Sequence, residues 1–477
     1  MNILHIVSSF YPCLSAGGVV NASYQIAKKQ VEKGHNVSVF TTDSCKNRLR
    51  FNDSENNSEN NNENNNEIYS KIFNVKGRHS NEKYSNGRYN VNIDGINVHY
   101  FRNISNKLKN SFLIDTPIFI PYKLKKEIKN FDIIHIHEHR HSLAIVAHHY
   151  AKKYKIPYII QSHGSVLPFF QKESIKKIFD KLWGFNILHD ASKAFALTEV
   201  EKKQYLKMGI DEEKIAIVPL GVNLKEYSNL PNKGNFRKKY NISPNSKIIL
   251  FIGRIHKIKG LDLLINSFKL LLEGQSIDDY SDKDNTTNNT NNNSNSNNNI
   301  SNGNTNINTN TNTNNINNGN NDKNKEDNET IKLVIVGPDD GFLANIQDII
   351  NKLDLHKNII ITGPLFKSDK IEALVDCDIF VMPSQYESFT TSGLEAMACY
   401  KPLILTENNH IHNWVDNNIG FSSKYEIFDL FNKLKKLLND TELMKIFGNN
   451  GRKLIEEKYN WDKIEEEINS IYKNIIN

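Results

Sequence analysis

Cysteine is scarce. The 477 residues hold only Cys13, Cys45, Cys377 and Cys399, at no metal-type spacing. Four are too few for a disulfide scaffold, and they fit a reducing compartment. Long apolar runs are missing too: none approaches the ~20 residues that a membrane span needs. The first residues, MNILHIVSSFYP, carry no basic stretch ahead of their apolar run. That reads against a secretory leader and sets the expectation of a cytoplasmic protein. Gly-x-Gly-x-x-Gly is absent, which sets a dinucleotide-dependent dehydrogenase aside. Charge of one sign is in short supply as well. A net +6, from 60 Lys and Arg against 54 Asp and Glu, gives no reason to expect nucleic acid as a partner.

What remains is a chain long enough for two or three domains, each burying its own core. Short apolar runs at 3–7, 37–41, 132–136, 157–161, 193–197, 215–218, 248–252, 331–336, 358–362, 379–382 and 402–405 read as strands. Helical stretches alternate with them, which implies parallel sheets with helices on both faces. Residues 90–101 alternate around Asp94-Gly95, a hairpin signal. Two Asn-rich stretches, about 46–68 and 276–330, have almost no apolar side chains to pack. They read as disordered insertions.

Four places carry chemistry. In PSQYESFTTSGLEAMACY (383–400), Glu387 and Glu395 stand eight residues apart, after the apolar run 379–382 and ahead of a helix-forming run, 394–399. Strand, polar turn and helix leave backbone N–H groups of Thr391, Ser392 and Gly393 at an anion or a hydroxyl. Glu395 is expected in the first helical turn. After the strand 248–252, Arg254 and Lys259 precede another helix, a pair of fixed cations suited to a departing diphosphate. Gly17 and Gly18 join the first strand to a helix, which lets backbone approach a phosphate closely. His163 follows the strand 157–161 and is placed to hydrogen-bond a sugar hydroxyl.

Two further stretches need weighing. In HIHEHRHS, His135, His137, His139 and His141 invite a metal reading, because alternate residues on a strand share a face. A polar strand end entering a loop is the stronger reading, and no metal ligand is expected. Residues 167–188 set Ile175, Ile178, Phe179, Leu182 and Trp183 opposite Lys172, Lys176 and Lys177, and residues 107–129 form a second basic-apolar cluster. Packing on their own domain is favoured; peripheral contact with the inner face of a membrane stays open.

Together these residues resemble the family 4 retaining glycosyltransferases, whose signature is Glu-x7-Glu and whose GT-B fold has two Rossmann-like domains facing across a cleft. The resemblance covers the chain apart from the two Asn-rich stretches. It implies an N-terminal domain over 1–222 on the acceptor side and a C-terminal domain over 223–460 on the donor side. A helix over 461–477 would cross back. Glu387 and His163 would hold the donor sugar, Glu395 the ribose, and Arg254 and Lys259 the diphosphate. Gly17 and Gly18 would face the cleft, and Gly337, Pro364 and Leu365 would line the nucleotide pocket. The implied donor is UDP- or GDP-linked, the acceptor a glycan or a lipid-linked glycan in cell-surface polysaccharide or glycoconjugate synthesis. No cofactor and no metal is implied. Thr390 and Tyr400 depart from the family, where glycine is common. Two alternatives stay open: a non-catalytic glycan- or partner-binding protein, and a nucleotide-sugar epimerase of the same fold.

Overall fold

The computed structural model describes residues 1–13, 17–43, 88–105, 108, 115–117, 119–168, 172–274 and 330–477. The Asn-rich stretches lie outside these residues, apart from Thr330 at the edge of the second, as does most of 106–118. The β-rich half-buried alternation and apolar runs build two sheets. The first holds eight strands: β1 (Asn2–Ile6), β2 (Asn36–Thr42), β3 (Arg88–Ile93), β4 (Ile96–Phe101), β5 (Ile133–His137), β6 (Tyr158–Gln161), β7 (Lys193–Ala196) and β8 (Ile215–Ile217). Their spatial order is β3-β4-β2-β1-β5-β6-β7-β8. Only the β3–β4 hairpin, turning at Asp94-Gly95, is antiparallel. The second sheet holds β9 (Lys247–Ile252), β10 (Ile331–Val336), β11 (Ile359–Gly363), β12 (Ile379–Met382), β13 (Leu403–Thr406) and β14 (Gly420–Ser423). It is ordered β11-β10-β9-β12-β13-β14 and is parallel throughout. Burial on both faces explains the near-continuous Val, Ile and Leu of its inner strands. β14, which is short and partly polar, carries no apolar run that the sequence reading could detect.

The chain passes between the sheets twice, and the two passages touch. Val222 N–H donates to the Tyr459 carbonyl at 2.9 Å, and Trp461 N–H donates to the Val222 carbonyl at 3.1 Å. Gly221 has no room for a side chain: a Cβ would lie 2.8 Å from the Asn460 carbonyl carbon and Trp461 N. The helix Trp461–Ile476 then packs on the helix Gly18–Glu32 of the first half, with Lys29 Nζ 2.8 Å from Asp462. Of the apolar stripe that its helical spacing implies, Trp461, Ile464 and Ile468 are buried, and Ile471 and Ile475 are half-buried.

Two expectations need correction. Cys13 is disulfide-bonded, so the cysteines are not all reduced; Cys377 and Cys399 are free and buried. Nor does the helix Glu173–Phe179 bury its apolar face: none of its residues is fully buried, and Phe179 alone of the stripe packs half-buried against the core. Ile178 is 60% exposed, Leu182 54% and Trp183 42%. The cause is Asp180, which is buried and takes a two-pronged bond from Arg140, Nε at 2.8 Å and Nη2 at 2.7 Å. Docking that ion pair inward turns the adjoining apolar stripe outward. Among the described residues, no helix is long and apolar enough to cross a membrane.

Candidate active site

A cavity of about 860 Å³ opens between the two sheets, lined by the loops that leave the carboxyl ends of their strands. Gly17, Gly18 and His163 face it from the first half. Arg254, Lys259, Leu365, Glu387, Thr391, Ser392 and Glu395 face it from the second. Gly337, Pro364 and Gly393 do not line it. Gly337 instead permits a close crossing of two loops: with φ +150°, a Cβ there would lie 1.8 Å from the Gly253 carbonyl oxygen. The Gly393 N–H is taken by the Thr390 hydroxyl at 3.1 Å, which caps the helix Thr391–Ala398. That cap starts the helix earlier than the apolar run suggests. Glu395 consequently sits beyond the first turn rather than in it, with no acidic residue in that turn.

Charge in the cavity is arranged in pairs. Lys259 forms an ion pair with Glu387, both side chains about nine-tenths buried at 14% and 13% exposure. Arg254 pairs with Asp340. Glu395 takes a bond from Lys370 Nζ at 2.7 Å. Tyr227 is held well above its ordinary pKa, first by burial and next by the carboxylate of Glu395. The Lys259 turn is locked to the glutamate loop by backbone. Gln385 N–H donates to the Ile258 carbonyl at 2.8 Å. Gly260, at φ +67°, leaves no room for a Cβ, which would come within 2.0 Å of the Pro383 carbonyl oxygen. Cation and carboxylate are therefore fixed to each other before any ligand arrives.

His163 sits on a strained turn, φ +51°, followed by Gly164 at φ +84°. Glu201 holds that turn, its buried carboxylate accepting from Gly164 N–H and Leu197 N–H, each at 2.6 Å. Burial raises the Glu201 pKa to about 7. Across the cleft, a Cβ on Gly164 would lie 2.1 Å from the Ser388 hydroxyl. The His163 and Glu387 loops thus touch.

Behind His163 runs a chain of buried imidazoles. His163 Nε2 lies 3.0 Å from His137 Nδ1, and His137 Nε2 lies 2.9 Å from His5 Nδ1. His5 Nε2 lies 2.7 Å from Gln30 Oε1. His135, beside them, meets the Tyr472 hydroxyl at 2.7 Å. His135, His137 and His139 are wholly buried, which corrects the reading of a polar strand end. Nitrogens of His5, His135 and His137 all lie within 4.8 Å of one another, close enough to be considered as a metal group. Burial pushes His5 to about 4 and His163 to about 3, and His135 and His137 well below their ordinary value.

The sequence reading did not find His5, Gln30, Glu201, Tyr227, Lys370 or Tyr472. One signal was present: His5, like His135 and His137, is a titratable residue inside an otherwise apolar strand. Its partnership with His135 follows only from the β1–β5 register, which pairs the two directly.

The model for glycosyl transferases group 1 matches residues 321–454, and that for glycosyltransferase family 4 matches residues 16–226. The chain belongs to the family 4 glycosyltransferases. This glycosyltransferase is 21% identical over 398 residues to an uncharacterised glycosyltransferase of Methanocaldococcus jannaschii, covering 80% of this chain and 85% of that one. It is 22% identical over 361 residues to the UDP-Gal:alpha-D-GlcNAc-diphosphoundecaprenol alpha-1,3-galactosyltransferase of Escherichia coli, covering 74% and 78%. Among solved structures, Anabaena HepE in complex with UDP and glucose superposes with a TM-score of 0.65 at 14% identity, covering 99% of this chain and all of that one. The likeness establishes the GT-B fold of this glycosyltransferase.

Proposed function

We propose that this glycosyltransferase moves a hexose from a UDP- or GDP-linked donor to a glycan or lipid-linked acceptor, with retention of configuration, in polysaccharide or glycoconjugate synthesis. One observation supports the proposal: Arg254, Lys259, Glu387 and Glu395 line one cavity, which His163 lines from the other side. As the sugar C1–O bond breaks, the departing diphosphate gains negative charge. Arg254, Lys259 and the N-terminus of the helix Thr391–Ala398 stabilise that charge more in the transition state than in the ground state. Glu395 accepts from ribose hydroxyls, and Glu387 and His163 hold the sugar. The acceptor oxygen forms its bond to C1 on the face that the diphosphate leaves, and its proton passes to the leaving phosphate oxygen. Two fixed cations at the diphosphate remove the need for a divalent metal.

A thermal-shift panel of UDP, GDP, ADP and their sugar conjugates, with and without magnesium, tests this. One series is expected to stabilise the protein without magnesium, by about 2.7 kcal/mol at a hundred times its dissociation constant. Glu395→Ala should reduce the shift markedly at the same ligand concentration. No shift with any nucleotide on folded protein would remove the donor-site assignment. UDP is the first ligand to try, because the HepE neighbour was solved with it.

A lipid-linked acceptor also accommodates a membrane contact. Ile178, Leu182, Trp183 and Phe185 are exposed beside Lys176, Lys177 and Lys181. Such a basic-apolar surface favours anionic lipid. The protein is expected to sediment with anionic phospholipid vesicles, and the double variant Ile178→Glu, Trp183→Glu to stay in solution. Equal sedimentation of the two would discard the contact.

A further inference from the structure

We propose that Gln30 is a positioning residue for the active site: through His5 and His137 it fixes His163 as the Nε2–H tautomer, leaving Nδ1 as an open acceptor. The proposal follows from counting protons along the chain. Gln30 Oε1 only accepts, so His5 Nε2, 2.7 Å away, carries the hydrogen. A neutral imidazole has one N–H, so His5 Nδ1 is bare and accepts from His137 Nε2–H at 2.9 Å. His137 Nδ1 is then bare and accepts from His163 Nε2–H at 3.0 Å. One proton therefore sits on the inward nitrogen of His163, and Nδ1 holds a lone pair. That Nδ1 is buried and has no hydrogen-bond partner among the described residues. Its residue lines the cavity. The remaining half of the Gln30 amide is occupied too, with Nε2 3.4 Å from the Tyr472 hydroxyl on the helix Trp461–Ile476.

Gln30, His5 and His137 are fully buried, so water does not compete for these bonds. The arrangement favours a shared-proton chain over an ion at the same nitrogens, because His5 Nδ1 and His137 Nε2 already stand at hydrogen-bond distance. What the lone pair would take is a hydroxyl hydrogen, and assigning that hydroxyl to the donor sugar rests on the function proposed above. The tautomer itself does not.

Imidazole nitrogen NMR on the full chain with nitrogen-labelled histidine tests the proposal, with His163→Asn identifying the His163 signals. His163 is expected with Nε2 protonated and Nδ1 bare. Gln30→Met, which keeps the length and removes the acceptor, should shift His163 to a mixture of tautomers. Gln30→Glu, which still accepts, should keep the original form. Tyr472→Phe, which disturbs the same core without touching the acceptor, should keep it as well. A wild-type His163 protonated on Nδ1 overturns the proposal, as does Gln30→Met with unchanged signals. Stoichiometric zinc in the dialysed protein overturns it too, because an ion would displace the proton that His5 and His137 share. If Gln30→Met does not fold, Gln30→Glu decides: a changed tautomer there refutes the role of Gln30. The spectra need no nucleotide, so they stand whether or not donor binding is found.

Discussion

Lys259→Ala is expected to lower kcat/KM by about a hundred- to a thousandfold, the scale for removing one preorganised stabiliser of developing charge. The effect has two sources. The variant loses a cation that the backbone holds rigidly, through the Gln385–Ile258 bond and the Gly260–Pro383 contact. It also strips Glu387, only 13% exposed, of its ion-pair partner. An uncompensated carboxylate in the cavity repels the diphosphate as well as costing stability. Arg254→Ala should lose about a hundredfold, toward the smaller end of that scale. Arg254 is 41% exposed, so water replaces part of what it supplies. Initial rates of nucleoside diphosphate release, with a thermal melt of each variant, separate lost chemistry from lost folding. Near-normal turnover in either variant removes that residue from the diphosphate site.

The second large effect is acid sensitivity. Burial holds His163 at about 3 and His5 and His139 at about 4, with His135 and His137 well below their ordinary value of 6.5. A histidine whose folded pKa is depressed stays neutral in the native state while the unfolded chain takes up its proton. Stability is therefore lost as pH falls through 6.5 and on toward the folded values. The loss is about 1.4 kcal/mol per pH unit for each such histidine. At pH 5 each histidine held neutral in this way costs about 2 kcal/mol, a sizeable share of the roughly 5–15 kcal/mol a typical domain possesses. Asp180 beside His139 offsets part of that share. Glu201, raised to about 7, works in the opposite direction, as do Glu465 and Glu467, which burial also raises. The melting temperature should be level above pH 7 and drop steeply between pH 6.5 and 5. A level profile down to pH 5 would show that the imidazoles are not buried as neutral groups.

The motifs that could be read from the sequence are those whose geometry is local. Arg254 and Lys259 follow directly on β9, and Glu387 and Glu395 flank one helix start, so strand, turn and helix suffice to place them. His163 is fixed in the same way by the end of β6. What the sequence concealed depends on pairing between distant segments. The histidine chain needs β1 beside β5, and then Gln30 and Tyr472 from two helices brought together only when the chain crosses back at Asn460. Lys370 reaches Glu395 from a helix that contributes nothing to any motif. The exposed stripe at Ile178, Leu182 and Trp183 was hidden for another reason. Amphipathic spacing says that a helix has an apolar face, and burying the Arg140–Asp180 pair settles which way that face points.

The most direct measurement is a calorimetric titration of uridine or guanosine, its monophosphate and its diphosphate into the wild type, Lys259→Ala and Glu395→Ala, without magnesium. The diphosphate is expected to bind the wild type far more tightly than the nucleoside. Lys259→Ala should cut that gain sharply while leaving nucleoside binding intact, and Glu395→Ala should weaken all three ligands alike. A diphosphate that binds no better than its nucleoside, or a gain untouched by Lys259→Ala, would contradict the placement of a nucleoside diphosphate sugar in this cavity.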